Sequence, residues 1–136
     1  MLAIVDTGPL YAAVDADDAD HEACVAALRT PGLRLLIPAM VVAEATYLIG
    51  SRMGARVEAE FLRGLSDFDV EGPRPEDLSR MAELVEQYAS FPLGGTDASV
   101  IALAERLGTD VVISLDHRHM RTVAPRHCPA LRVLPE

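Results

Sequence analysis

Leu2-Ala3-Ile4-Val5-Asp6-Thr7-Gly8-Pro9 begins as a short apolar run and ends on an acid followed by turn formers. A run of this length bounded by turn signals reads as a buried strand followed by a turn. The pattern returns at Val111-Val112-Ile113-Ser114-Leu115-Asp116, where a second apolar run again meets an acid. Further strand candidates are Leu33 to Ile37, a weaker one at Phe68 to Val70, and Ala130 to Leu134. Helical patterning fills the intervals. A short helix fits Leu10 to Val14, and another, capped by Asp17 or Asp18, runs to Arg29 and is stopped by Thr30-Pro31-Gly32. A third starts at Ala39 just after a proline and ends between Gly50 and Gly54. Ala55 to Leu65 places Val57, Phe61, Leu62 and Leu65 at helical spacing, and Pro75 to Tyr88 places Leu78, Met81, Ala82, Val85 and Tyr88 on one side. After a break at Gly94-Gly95-Thr96, a helix from Asp97 to Leu107 is closed by Gly108. Strands alternating with helices predict a three-layer α/β/α sandwich with a mainly parallel central sheet.

The chain has 136 residues, half of them hydrophobic, which predicts one domain over residues 1–136 with a substantial core. It contains no internal repeat, low-complexity tract or interdomain linker. No apolar run approaches the roughly 18–20 residues that span a bilayer, and the N-terminus has no basic region of the kind that opens a signal peptide. A cytoplasmic protein is expected, with Cys24 and Cys128 as buried free thiols. Net charge is −9, which alone argues against a generic nucleic-acid coat. The distribution is uneven. All 12 basic residues are arginine, and Arg118, Arg121, Arg126 and Arg132 crowd the last segment, so one local cationic patch is possible. Arginine throughout could suit phosphate contacts, but a genome-wide compositional bias is the preferred reading.

Glu44 is the oddest residue. It lies in Met40-Val41-Val42-Ala43-Glu44-Ala45-Thr46-Tyr47-Leu48, a helix apolar nearly all round. Such a helix is normally buried, and an ionised carboxylate is almost never buried alone. Glu44 is therefore expected to be protonated, to meet an arginine from elsewhere, or to face a cation. In open α/β sheets, function gathers beyond the carboxyl ends of the strands. Asp6 and Asp116 each follow a strand, Asp97 opens a helix after a glycine pair, and Glu44 lies within the first two turns of its own helix. Each aspartate also has a plainer reading as a turn or helix cap. Four clustered carboxylates would repel one another unless a cation joined them. Mg²⁺ and Mn²⁺ prefer oxygen ligands, and such ions serve phosphodiester cleavage. A metal bridge would also reconcile an acidic protein with a polyanionic substrate.

These residues resemble the PIN-domain ribonucleases, and among them the VapC-type toxins of toxin–antitoxin systems. The resemblance rests on Ile4-Val5-Asp6-Thr7-Gly8, Pro38-Ala39-Met40-Val41-Val42-Ala43-Glu44, Thr96-Asp97-Ala98-Ser99 and Val112-Ile113-Ser114-Leu115-Asp116, in that order over nearly the whole chain. It implies that Asp6, Glu44, Asp97 and Asp116 bind Mg²⁺ or Mn²⁺, with Asp6 and Asp97 as the most direct ligands. It implies that Thr7 and Ser114 brace the carboxylates through their hydroxyls. It further implies RNA as substrate, a cognate antitoxin and a homodimer. Two positions depart from the family: serine stands at 114 where threonine is usual, and methionine at 120 where an aromatic is common. Arg118 and Arg121, just after Asp116, are candidates for RNA phosphate.

Other readings fare worse. A haloacid-dehalogenase-like phosphatase would need a second acid where Gly8 stands, and a response-regulator receiver needs a lysine, which this chain lacks. His117 and His119 at i and i+2 do not share a helix face, so they are expected as exposed residues rather than as a transition-metal site. A non-catalytic PIN-like interaction protein, or an RNA-processing PIN nuclease outside any toxin pair, stays open as an alternative.

Overall fold

The computed structural model describes residues 1–136. β1 (Leu2–Val5), β2 (Arg34–Pro38), β3 (Asp69–Glu71), β4 (Val111–Ile113) and β5 (Arg132–Leu134) join in one sheet of order β3-β2-β1-β4-β5. Every pairing is parallel. β1 is the centre: Ile4 is in register with Leu36 on one side and Val112 on the other. Ala3, Ile4 and Val5 are fully buried, as a parallel strand covered on both faces requires.

Seven α-helices connect the strands: α1 (Thr7–Val14), α2 (His21–Leu28), α3 (Ala39–Met53), α4 (Ala55–Gly64), α5 (Pro75–Gln87), α6 (Gly95–Leu107) and α7 (His117–Thr122). The chain steps outward from β1 through β2 to β3, then crosses back to β4 and β5 on the other side. Right-handed crossovers taken in opposite directions lay helices on opposite faces of the sheet, which gives the three layers. The direction changes between β1 and β4, so the segments leaving these two strands start side by side. α6 is the most deeply set helix, with every residue from Ala98 to Ala104 buried.

Several boundaries differ from the sequence reading. α1 begins at Thr7, because Asp6 caps it through Oδ1, which accepts the Thr7 amide. α2 begins only at His21, and Asp17 and Asp18 do not cap it. The acidic stretch before it instead forms local turns, in which the Asp15 and Asp18 carboxylates accept the amides of Asp17 and Asp20. α6 starts at Gly95 with Gly94 as its cap, so the glycine pair opens this helix. α7 is absent from the sequence reading, which places no helix after Asp116. On α5 the inward stripe is Asp77, Met81 and Leu84, while Leu78 and Val85 are exposed. The rotation follows from charge. Asp77 pairs with Arg106 at 2.9 Å, and Arg80 pairs with Glu105 through two hydrogen bonds of 2.8 and 2.9 Å. The α5–α6 seam is thus locked by ion pairs that hydropathy alone would place outside. Cys24 is a buried free thiol, whereas Cys128 is only half-buried.

Candidate active site

The carboxyl ends of β1 and β4 deliver the first two acids. Asp6 follows Val5 directly, and its own amide donates to the Ile113 carbonyl of β4 at 2.8 Å. Its side chain is 6 % exposed, accepts the Thr7 amide at 2.8 Å on Oδ1 and accepts the Ser114 hydroxyl at 2.8 Å on Oδ2. Ser114 Oγ in turn accepts the Asp116 amide at 3.0 Å. A single serine therefore ties together the acids that end two adjacent strands. Asp116 caps α7, with Oδ1 accepting the His119 amide at 3.1 Å.

The other two acids come from helices. Asp97 occupies the first turn of α6 and reaches back to the Gly94 amide at 3.4 Å. Glu44 lies on α3. The expectation of a buried Glu44 is overturned: the buried stripe of α3 is Val41, Ala45 and Ile49, and both Glu44 and Tyr47 are exposed. The helix is apolar nearly all round because part of its apolar surface is left uncovered.

All four acids nevertheless line one open cavity of about 480 Å³, together with Thr7, Gly8, Leu48 and Leu115. Gly8 permits the close approach of α1 to the segment after β4: a Cβ there would lie 3.3 Å from the Leu115 side chain. A second concavity of about 320 Å³ is lined by Glu76, Asp77, Arg80, Ala102, Glu105, Arg106, Arg126 and His127. Its buried charges are mostly engaged with one another, so the acidic cavity is the better candidate for chemistry.

The electrostatics are those of crowded carboxylates. Burial pushes the Asp6 carboxyl up from 3.8 to about 6, with the charges of Asp97 and Glu44 adding to the rise against the hydrogen bonds from Ser114 and Thr7. Burial also raises Asp97, with Asp116 and Glu44 acting in the same direction. Thr7 Oγ1 is buried without a hydrogen-bond partner. The expected bracing by the Thr7 hydroxyl is therefore corrected: the Thr7 backbone amide braces Asp6, and the hydroxyl is unengaged. No three His, Cys, Asp or Glu side chains converge at ligating distance. The donor set is still all oxygen and rich in negative charge, which suits a hard cation holding several waters and one or two direct carboxylates.

Sequence reasoning set His119 aside as an exposed residue, and the structure gives it partners. Its Nδ1 lies 2.7 Å from Asp116 Oδ2 and its Nε2 lies 2.7 Å from the Phe91 carbonyl oxygen. Asp116 beside it holds the imidazole above its ordinary value. The ring packs on Phe91 with centroids 4.5 Å apart, so His119 is half-buried rather than exposed. The available signal was the spacing Asp116-x-x-His119, which joins a helix cap to a residue in the same first turn. Arg118 and Arg121 lie on the exposed side of α7, and the Arg118 guanidinium stands 4.8 Å from the Phe91 ring centroid.

Comparison with known proteins bears on the family and the fold. The family model described as "PIN domain" matches residues 3–124. The chain is 31 % identical over 124 residues to "Ribonuclease VapC26" of Mycobacterium tuberculosis, covering 90 % of this chain and 92 % of that protein. The crystal structure of Mycobacterium tuberculosis VapC20, described as a sarcin-ricin loop cleaving toxin, superposes with a TM-score of 0.74 at 20 % identity, over 81 % of this chain and 86 % of that one. The structure of VapBC2 from Rickettsia felis, bound to a DNA fragment from its promoter, matches with a TM-score of 0.71 at 13 % identity, over 98 % and 97 % of the two chains. At those identities the two structures speak to the fold.

Proposed function

Because this chain belongs to the PIN-domain family, we propose that it is a metal-dependent endoribonuclease, the VapC-type toxin of a toxin–antitoxin pair. The observation that carries this reading is the meeting of Asp6, Glu44, Asp97 and Asp116 around one cavity from four separate segments. Residues 1–136 are read as one PIN-like domain, since a single apolar core runs from Ala3 to Val133.

The residues fit a divalent cation of the Mg²⁺ or Mn²⁺ type. The donors are all oxygen, Thr7 Oγ1 is an orphaned buried hydroxyl, and Asp6 and Asp97 are raised by burial, with neighbouring carboxylates adding to the rise, a cost that a cation would relieve. Asp6 and Asp97 would hold it most directly, with Glu44 and Asp116 in support. When bound, such a cation supplies Lewis acidity and activates water for phosphodiester hydrolysis. The protein contributes position. Ser114 fixes one Asp6 oxygen and the Thr7 amide fixes the other. Asp116 is held by the first turn of α7 and by His119, which is anchored to the Phe91 carbonyl. Glu44, on the open side, is the carboxylate with most freedom to adjust as RNA enters.

The antitoxin and a second copy of the chain are proposed partners. Tyr47 and Leu62, 73 % and 47 % exposed on α3 and α4, offer apolar surface on the helix pair that carries Glu44. A cytoplasmic location, where the RNA substrate and an antitoxin would be met, is proposed with them.

Purified protein offered structured RNAs with Mg²⁺ or Mn²⁺ should cut them, and chelation should stop the cutting. Asp6→Asn and Asp97→Asn should reduce cleavage to background. Cleavage by both variants at the wild-type rate would show that the site is misassigned.

A further inference from the structure

Arg34, Arg56, Arg80, Arg106 and Arg126 each pair with a carboxylate. Among the arginines outside these pairs, two are held over aromatic rings: Arg118 over Phe91 at 4.8 Å, and Arg52 over Tyr11 at 5.1 Å. The sequence singles out Arg118 but gives no sign of Arg52, whose partner ring lies on a distant helix. Both rings are themselves fixed. Tyr11 donates its hydroxyl to Asp15 Oδ2 at 3.2 Å, and Phe91 packs against His119. A guanidinium lying on an aromatic face keeps its charge and its outward N–H groups while losing conformational freedom. Arg52 forms no ion pair, even though Asp15 is bonded to the ring beneath it.

Their places relative to the acidic cavity are informative. Glu44, Leu48 and Arg52 succeed one another at four-residue intervals on α3, and the first two line the cavity. Thr7 and Gly8 line it from α1, and Tyr11 is one turn further along that helix. Arg52 over Tyr11 thus sits one turn beyond the cavity wall formed by Leu48, Thr7 and Gly8. Arg118 follows Asp116 by two residues, at the start of α7. α3 leaves β2 and α7 follows β4, and these strands flank β1 on opposite sides. The two stacked arginines therefore stand on opposite flanks of four carboxylates.

We propose that Arg52 and Arg118 mark the two ends of a path for single-stranded RNA across the acidic cavity. Each contacts a backbone phosphate beside the scissile one, and Tyr11 holds Arg52 in place. This inference rests on the ribonuclease reading. The four carboxylates repel the phosphates they must serve. Fixed cations on both flanks hold the strand where a cation at the centre can meet it, and a contact on one flank alone would let the other end swing away.

The test uses full-length protein carrying Asp6→Asn, which should leave RNA uncut, and a fluorescein-labelled single-stranded RNA of mixed sequence in the presence of Mg²⁺. In this background, Arg52→Gln and Arg118→Gln should each weaken binding about five- to tenfold and reduce the slope of log K against log salt by about 0.7. Arg56→Gln, at an arginine paired with Glu60 on α4, should bind like the background. Tyr11→Phe should bind like the background, and Tyr11→Leu should show part of the Arg52→Gln loss. Thermal melting of each variant checks that it is folded. Unchanged binding in Arg52→Gln, or an equal loss in Arg56→Gln, overturns the path while leaving the ribonuclease reading intact. Equal binding by the two Tyr11 variants overturns the role of the ring. Wild-type protein that neither binds nor cuts RNA overturns the ribonuclease reading and this inference with it, whereas cutting by the Asp6→Asn background shows that the acidic site is misassigned and removes the path across it.

Discussion

Asp6 works against the fold at neutral pH. Its carboxyl is raised from 3.8 to about 6, so the folded protein favours the protonated form. The associated stability is fully present below about pH 4 and is lost as pH rises through 6; at neutral pH the ionised group costs about 3 kcal/mol when no cation is bound. Asn keeps the Thr7 contact through Oδ1 and meets Ser114 in the opposite sense, donating from Nδ2 to Oγ, and carries no charge. In chelator, Asp6→Asn should therefore exceed wild type in stability by about 2–3 kcal/mol at pH 8, with the gain vanishing near pH 4. Denaturant titrations at the two pH values read this directly, and an equal difference at both would mean that Asp6 is not strained by its charge. Asp6, Asp97 and Asp116 were legible in the sequence because each borders an apolar element, and this position survives folding. Glu44 was found through a mistaken premise. Hydropathy cannot distinguish an apolar helix face that is covered from one left open, and α3 has both. His119 was read as merely exposed and Arg52 was not singled out, because their partners, the Phe91 carbonyl and the Tyr11 ring, are remote in sequence.

At the scale of elements, hydrophobic periodicity located the strands and most of the helices but misplaced the inner face of α5. The α5–α6 seam contains charges at positions that an apolar pattern assigns to solvent. Asp77 is 3 % exposed, and Arg106 satisfies it while also reaching Glu71 at the end of β3 at 2.8 Å. Removing one partner leaves a buried charge uncompensated. Arg106→Ala should destabilise the protein by about 3–5 kcal/mol, and a double replacement of Arg106 and Asp77 by apolar residues of similar size should cost much less. Chemical denaturation of the single and double variants measures the difference. A single variant with wild-type stability would mean that water reaches Asp77 and that the seam is held by packing alone. The cap reading and the site reading of Asp6 and Asp116 stood as alternatives in the sequence, and both hold: these residues start α1 and α7, and their side chains also wall the cavity. A residue with two uses gives one sequence signal.

At the scale of the molecule, the proposed metal-dependent function would make stability and activity depend on the same ion. A cation that binds the folded state alone raises its melting temperature, by an amount equivalent to about 2.7 kcal/mol at a hundred times its Kd. Mg²⁺ should raise the melting temperature by several degrees at pH 8 and by less at pH 5, where protons compete for Asp6. Glu44→Gln should reduce the rise. Differential scanning calorimetry with and without Mg²⁺ is sufficient, and an unchanged melting temperature at pH 8 would remove the cation from the account. The sheet order has one more consequence, in time rather than in space. β1 is made first, yet its neighbour β4, and the Ser114 hydroxyl that holds Asp6, lie 108 residues later along the chain. At a synthesis rate of about 5–20 residues per second, Asp6 is polymerised roughly 5–20 seconds before the serine that positions it. A nascent or prematurely ended chain thus carries the first acid without its brace, and the cavity closes only once nearly all of the protein has been translated.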